Sequence, residues 1–183
     1  TKLDKIGNKL DELNKSGQGH NTVRYYNGAD PDDIWAVKSA GIDPSTGREL
    51  FYDKEGNYTY DFSYDNEVIC GNTRPKIEGV IGTSLNYKGF SVSMNFRYQT
   101  GASVFNEALF NKVENISVSG LNKNQDKRAL YDRWQKPGDI VKFKRIDDVS
   151  VTPMSSRFVA DDNTLECKSI SLGYETTQAT WLK

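Results

Sequence analysis

Residues 90–99 alternate without a break between apolar and polar side chains. Phe90, Val92, Met94, Phe96 and Tyr98 share one parity, and Ser91, Ser93, Asn95, Arg97 and Gln99 the other. Neighbours on a β-strand point to opposite faces, so this segment reads as a strand with one apolar side and one wet side. The segment before it follows a looser version of the same pattern. Ile81, Thr83, Leu85 and Tyr87 share a face, Gly82, Ser84 and Asn86 share the other, and Val80 breaks the rule. Lys88 and Gly89 stand between the two runs, and so short a connection forces antiparallel neighbours. Residues 78–99 are therefore expected to form an amphipathic hairpin.

Two environments suit such a hairpin: the cover of a soluble core, or the wall of a membrane barrel. Strand length favours the barrel. Ten residues at ~3.3 Å each give ~33 Å, and a ~45° tilt projects this to ~24 Å, close to the ~25 Å apolar band of an outer-membrane barrel. Soluble strands are commonly about five or six residues long. Tyr87 and Phe90 flank the turn and Tyr98 stands far from it, as in the aromatic girdles at both membrane interfaces. A third run alternates in the same way, with Ile170, Leu172 and Tyr174 against Ser169, Ser171 and Gly173. Upstream, Leu165 and Cys167 fall in the opposite phase, which implies either a bulge or a position above the bilayer. The pattern alone leaves soluble sheet and barrel both open.

The bulk figures do not decide between them. The chain has 183 residues and a formal net charge of −1, and its mean hydropathy is −0.69. These values fit one globular domain, and equally a barrel whose strands are half apolar and whose loops are polar. No stretch approaches the ~20 apolar residues of a spanning helix. Near-neutral charge with scattered Lys and Arg gives no support for nucleic-acid binding.

Elsewhere, the ten Tyr and the frequent Gly and Asn suggest antiparallel strands with long polar loops. Residues 1–13 read as the end of a strand followed by a loop, and residues 16–21 as a flexible link. Residues 34–37 are a short strand candidate and residues 41–47 a turn. Residues 48–52 are expected to pair with 57–60 across a Gly-containing loop. Residues 105–113 and 124–134 read as helical or irregular, the second stopped by Pro137 and Gly138.

Several segments resemble the late barrel of SusC/RagA-type TonB-dependent transporters. They are Arg74 and Pro75 with Gly79; Tyr87 to Phe90, Gly101, Phe105 and Asn106; Asp132 to Asp139; Ser155 to Val159; and Leu165 with Ser169 to Tyr174. Gly41 to Pro44 with Thr46 and Gly47 also fits. Each is weak alone, but their order and spacing over most of the chain make the match specific. Thr164 to Ser169 departs from the pattern the family often shows there, which puts the local register in question.

The resemblance implies an all-β fold, part of a large antiparallel transmembrane β-barrel of about 22 strands around a plug. At ~10 residues per strand the strands alone need ~220 residues. Residues 1–183 are accordingly expected to be one partial barrel domain, with the plug, the earlier strands and the last strands lying outside it. The face expected to meet lipid comprises Ile81, Leu85, Tyr87, Phe90, Val92, Met94, Phe96, Tyr98, Ile170, Leu172 and Tyr174. Lys88 and Gly89 would lie in the periplasm, and residues 100–163 would form a folded extracellular loop.

The implied function is active import across the bacterial outer membrane, with loops on the cell surface. The substrate would be an oligosaccharide or, less often, a peptide. The implied partners are a SusD-like surface lipoprotein, the TonB complex and outer-membrane lipid; no nucleic acid and no cofactor is implied. The rival readings are a passive porin or adhesin barrel and a soluble carbohydrate-binding module. The module would stack sugars on Trp35, Tyr25 and Tyr26, residues that serve equally well in packing. No catalytic constellation is visible, and the chain is read as non-enzymatic. The single histidine, His20, lies in a Gly-rich polar loop. The acidic spots at 30–33, 147–148 and 161–162 lack EF-hand spacing and read as solvated loop carboxylates. Cys70 and Cys167 form no metal-type spacing, and either a disulfide or two free thiols is compatible with the sequence. Arg133 and Trp134 are expected to anchor loop structure.

Overall fold

A computed structural model describes residues 2–120, 123–148 and 150–176, with the side chains of 2–6, 8 and 118 left undescribed. It comprises two compact units, residues 2–73 with 103–160 and residues 74–102 with 161–176.

The second unit is a three-stranded sheet in the order β6-β7-β8, with β6 at Ile77–Tyr87, β7 at Phe90–Phe105 and β8 at Val159–Tyr174. Residues 103–105 of β7 and 159–160 of β8 belong to the first unit. The β6–β7 ladder runs without interruption from Ile77↔Thr100 to Tyr87↔Phe90. Lys88 and Gly89 close it with φ of 47° and 87°. Two positive φ values in a two-residue connection match the twist of the flanking strands, and they are the reason Gly89 is needed there. The hairpin expected from the alternation is present, and β7 continues six residues past Gln99. The loop expected at 100–163 is correspondingly shorter, beginning after Phe105 and ending before Val159.

The first unit holds the remaining elements. Helix α1 spans Lys2–Gly17, which corrects the strand end and flexible link expected over residues 1–21. Apolar residues at 3, 6, 10 and 13 recur at helical spacing, and that period outweighs the weak strand signal. His20 N and Asn21 N both donate to Gly17 O at 3.0 Å, so the link is an ordered helix end. Strand β1 (Asp33–Val37) pairs antiparallel with β5 (Glu67–Asn72), and β2 (Ser39–Ile42), β3 (Glu49–Tyr52) and β4 (Tyr58–Thr59) form a meander. The pairing of 48–52 with 57–60 is thus found, whereas Gly41 and Ile42 belong to β2 rather than to the turn that follows.

The described residues of 106–158 carry no strand, only a π-helix at Leu109–Glu114 and short 3-10 turns, including Lys127–Ala129 where a helix was expected. Val113, Ala129 and Phe143 make a small buried cluster joined by Leu109 and Ile116. The rings of Phe105, Phe110 and Phe158 form a second, with centroids 5.0–6.0 Å apart.

Candidate functional site

Register in the β6–β8 sheet sorts its side chains onto two faces. Residues directly opposite on antiparallel strands point the same way. Ile81↔Phe96, Leu85↔Val92 and Tyr87↔Phe90 therefore share a face with Met94 and Tyr98. Glu175 N donates to Gly89 O at 2.7 Å, which brings the end of β8 beside the start of β7 and makes the two antiparallel. The Phe90 and Tyr174 rings meet at 4.6 Å, adding Ile170 and Leu172 to the same face by parity. All the residues expected on the apolar face are therefore together. On the edge strands they are uncovered, Leu172 being 78% exposed.

The other face is a hydrogen-bonded polar surface. Arg97 pairs with Glu78 at 3.1 Å, Asn95 Nδ2 donates to Ser169 Oγ at 3.0 Å, and Gln99 Nε2 donates to Asp162 Oδ2 at 2.9 Å. The ion pair is solvent-exposed and adds little stability. Val80, opposite Arg97, is the apolar exception on this side.

These contacts also expose a change of phase in β8. Gln99 meets an even-numbered partner, Asp162, whereas Asn95 on the same face meets odd-numbered Ser169. The alternation must therefore reset between Asn163 and Ser169, as a bulge does. Leu165 and Cys167 sit in that interval, which accounts for their opposite phase. Tyr98 lies over Gly79, where an added Cβ would come within 2.8 Å of the Tyr98 hydroxyl. Its ring thus covers the gap that a strand glycine leaves.

In the first unit, Tyr26 and Trp35 come together at 4.9 Å with planes inclined by 54°. Tyr25 and Tyr26 are half exposed. Asn14 holds the segment by a reciprocal pair, donating to Tyr25 O at 2.9 Å and accepting from Tyr25 N at 2.7 Å. Trp35 Nε1 is buried without a hydrogen-bond partner among the described residues.

Arg133 and Trp134 do anchor loop structure. Arg133 donates to the carbonyls of Ala129, Val113 and Lys144, and burial pulls its guanidinium below the ordinary arginine value. Trp134 Nε1 donates to Pro44 O at 2.8 Å, and its ring lies so close to Gly47 (φ 72°) that a Cβ there would sit 2.5 Å from Cδ2.

The buried charges were not singled out by sequence. Arg24 grips Glu67 with two bonds of 2.7 and 2.6 Å. Arg157 bridges Glu49 and Glu114 at 2.8 and 2.7 Å. These partners lie 43 and 108 positions apart, and no local pattern marks them. The one available hint was that Arg157 falls within a segment carrying the family resemblance. A cavity of about 210 Å³ lies beside Glu49 and Glu114, with Phe51, Tyr60 and Phe62 on one side and Lys144, Val151 and Pro153 among its other lining residues.

The acidic spots are hydrogen-bonded, locally at 147–148 and across strands at Asp33 and at Asp162, which lies on β8 and not in the expected loop. Asp33 accepts from Asn72, Asp147 from Arg145 and Asp148 from Ser150. Among the described residues no three His, Cys, Asp or Glu side chains are arranged to hold a metal ion. Both cysteines are free thiols, one in each unit. Burial raises the Cys70 thiol above its ordinary value.

The sheet is antiparallel, half apolar and half polar, and among the described residues the apolar side chains of its edge strands are exposed. The chain is 25% identical over 152 residues to the TonB-dependent receptor P39 of Formosa agariphila, covering 81% of this chain and 14% of that protein. Its fold matches chains of the RagAB peptide importer: the 'open-open' structure at TM-score 0.64 and 22% identity, the 'closed-closed' one at 0.62 and 23%. In both, 78% of this chain aligns with 16% of the other. No family model matches. The resemblance read from the sequence is thus borne out: the chain is similar to TonB-dependent receptors and has the fold of a section of such a barrel. It spans about one-seventh of the length of the receptor it matches.

Proposed function

We propose that this chain is a late section of the barrel of a TonB-dependent outer-membrane importer, with strands β6, β7 and β8 crossing the bilayer. The observation that carries this reading is the separation of apolar and polar faces over a spanning length, with Val80 the apolar exception on the polar side. The eleven residues of β6 at ~3.3 Å extend ~36 Å, or ~26 Å at a ~45° tilt. Ile81, Leu85, Tyr87, Phe90, Val92, Met94, Phe96, Tyr98, Ile170, Leu172 and Tyr174 face lipid. Arg97, Asn95 and Ser169 face the lumen, where charge and amide stay hydrated.

On this reading Lys88 and Gly89 lie at the periplasmic rim, and residues 106–158 fold on the cell surface. There they meet a SusD-like lipoprotein that helps capture substrate. An oligosaccharide or a peptide is imported unchanged, driven by the inner-membrane proton gradient through TonB. The structural likeness to a peptide importer supports the peptide; the pair of rings at Tyr26 and Trp35 suits a sugar.

Uptake of labelled oligosaccharides and peptides by cells making the intact transporter tests this. Uptake that stops when the proton gradient is collapsed is expected. Uptake that survives the collapse would identify a passive pore, and recovery of the intact protein in the soluble fraction without detergent would refute the membrane assignment.

A further inference from the structure

Arg157 lies on a 3-10 turn, Ser156–Phe158, in the first unit. Its Nη2 donates to Glu49 Oε2 at 2.8 Å and to Glu114 Oε1 at 2.7 Å, and its Nη1 donates to Lys142 O at 2.6 Å. Glu49 stands on β3, and its second oxygen accepts from Ser155 Oγ at 2.6 Å. Glu114 ends the π-helix, and its Oε1 also accepts from Thr152 Oγ1 at 3.2 Å. The three side chains are 11%, 8% and 0% exposed for Arg157, Glu49 and Glu114. One guanidinium is therefore shared between two buried carboxylates.

Two buried atoms in this cluster have no partner among the described residues: Arg157 Nε and Glu114 Oε2. They belong to side chains already in contact. The Nε and Nη2 edge of a guanidinium is built to grip both oxygens of one carboxylate. If Arg157 turned that edge onto Glu114, Nε would pair with Oε2 while Nη2 kept Oε1. Both unpaired atoms would then be satisfied, and the bond to Glu49 would be lost. A partly satisfied buried network of this kind carries a large penalty, which an alternative pairing can relieve.

We propose that Arg157 is a two-position latch. In the position seen here it ties the β3–β4 arm to the π-helix. In the other it pairs bidentately with Glu114 and lets go of Glu49. β3 stays paired with β2, from Ser39↔Phe51 to Ile42↔Glu49, so the β3–β4 arm is loosened on its Arg157 side and not detached. Glu49, Phe51, Tyr60 and Phe62 form one wall of the 210 Å³ cavity, with Lys144 and residues 150–153 opposite. Release of Glu49 loosens that wall of the cavity. The latch does not depend on the transport reading, because it rests only on groups within the first unit.

Hydrogen exchange on the intact protein tests it. Glu49→Gln and Glu49→Ala are expected to raise exchange over residues 48–60 by about tenfold while leaving residues 109–114 within about twofold, because Arg157 re-pairs with Glu114. Glu114→Gln is expected to do the reverse, loosening 109–114 and sparing 48–60. Arg157→Lys lacks the fork and is expected to loosen both. Unchanged exchange over the β1–β5 pair, residues 33–37 and 67–72, shows that the first unit of a variant is folded. Equal loosening of both segments by either Glu49 variant, or loosening of 48–60 by Glu114→Gln, would overturn the latch and leave a rigid cluster.

Discussion

The ring of Phe90 lies 4.6 Å from that of Tyr174, at an angle of 43°. The contact places the first residue of β7 and the last of β8 on one side of the sheet, so a single apolar face spans all three strands.

That face sets the first expectation. On the proposed reading, Met94→Arg in the full-length protein places a charge in lipid near mid-membrane and is expected to cost roughly 2–4 kcal/mol, whereas Ser93→Arg, on the wet face, costs little. Urea unfolding in bilayers of stated composition measures the difference. Equal costs at the two positions would count against the assignment of faces.

The hairpin turn gives a second. Gly89 has φ 87°, and a Cβ on it would lie 2.5 Å from Glu175 O. Gly89→Val is expected to destabilise by at least ~1–2 kcal/mol, the cost of a side chain in the left-handed region. Lys88→Asn keeps φ 47° with a residue suited to it, and should stabilise slightly. The same unfolding assay reads both.

Asp43 carries a pH dependence. The Tyr60 hydroxyl, 2.5 Å away, is the main cause that holds its carboxyl well below the ordinary range, followed by Ser45 and Thr46. A depressed carboxyl stabilises the folded turn fully above its unfolded value of ~3.9. That contribution shrinks as pH falls below this and is gone once pH drops through the folded value. Exchange over residues 43–60 should therefore rise, after correction for intrinsic rates, as pH falls below about 4. Asp43→Asn is expected to flatten this dependence and Tyr60→Phe to weaken it. An unaltered profile in Asp43→Asn would show that another group is responsible.

The contact between Trp134 and Gly47 is a fourth test. Gly47→Ala drives a methyl into the indole at a residue with φ 72°, and is expected to cost about 1–3 kcal/mol. Trp134→Phe removes the bond to Pro44 O but keeps a ring, and should cost about 1 kcal/mol. Thermal unfolding of the intact protein ranks the two, and a neutral Gly47→Ala would contradict the packing.

The features legible in the sequence were those written locally. Period-two alternation marks the faces of β6 and β7 within ten residues, and Lys88 with Gly89 marks the turn by type alone. The phase conflict at Leu165 and Cys167 was visible too, and it proves to be a reset inside one strand. Helix α1 was missed because its apolar spacing is sparse and interrupted by Gly7 and many charges. The π-helix has no sequence signature, and the Arg157 cluster joins residues 43 and 108 positions apart, so only the folded chain brings them together.

Spin labels placed singly at residues 90–99 of the full-length protein in bilayers give the most direct test of the proposed membrane assignment. Collision with oxygen, which concentrates in lipid, and with a water-soluble nickel chelate would be measured at each site. Oxygen access is expected to peak at Phe90, Val92, Met94, Phe96 and Tyr98, and nickel access at Ser91, Ser93, Asn95, Arg97 and Gln99. Nickel access at all ten positions, without alternation, would contradict a lipid-facing side on this sheet.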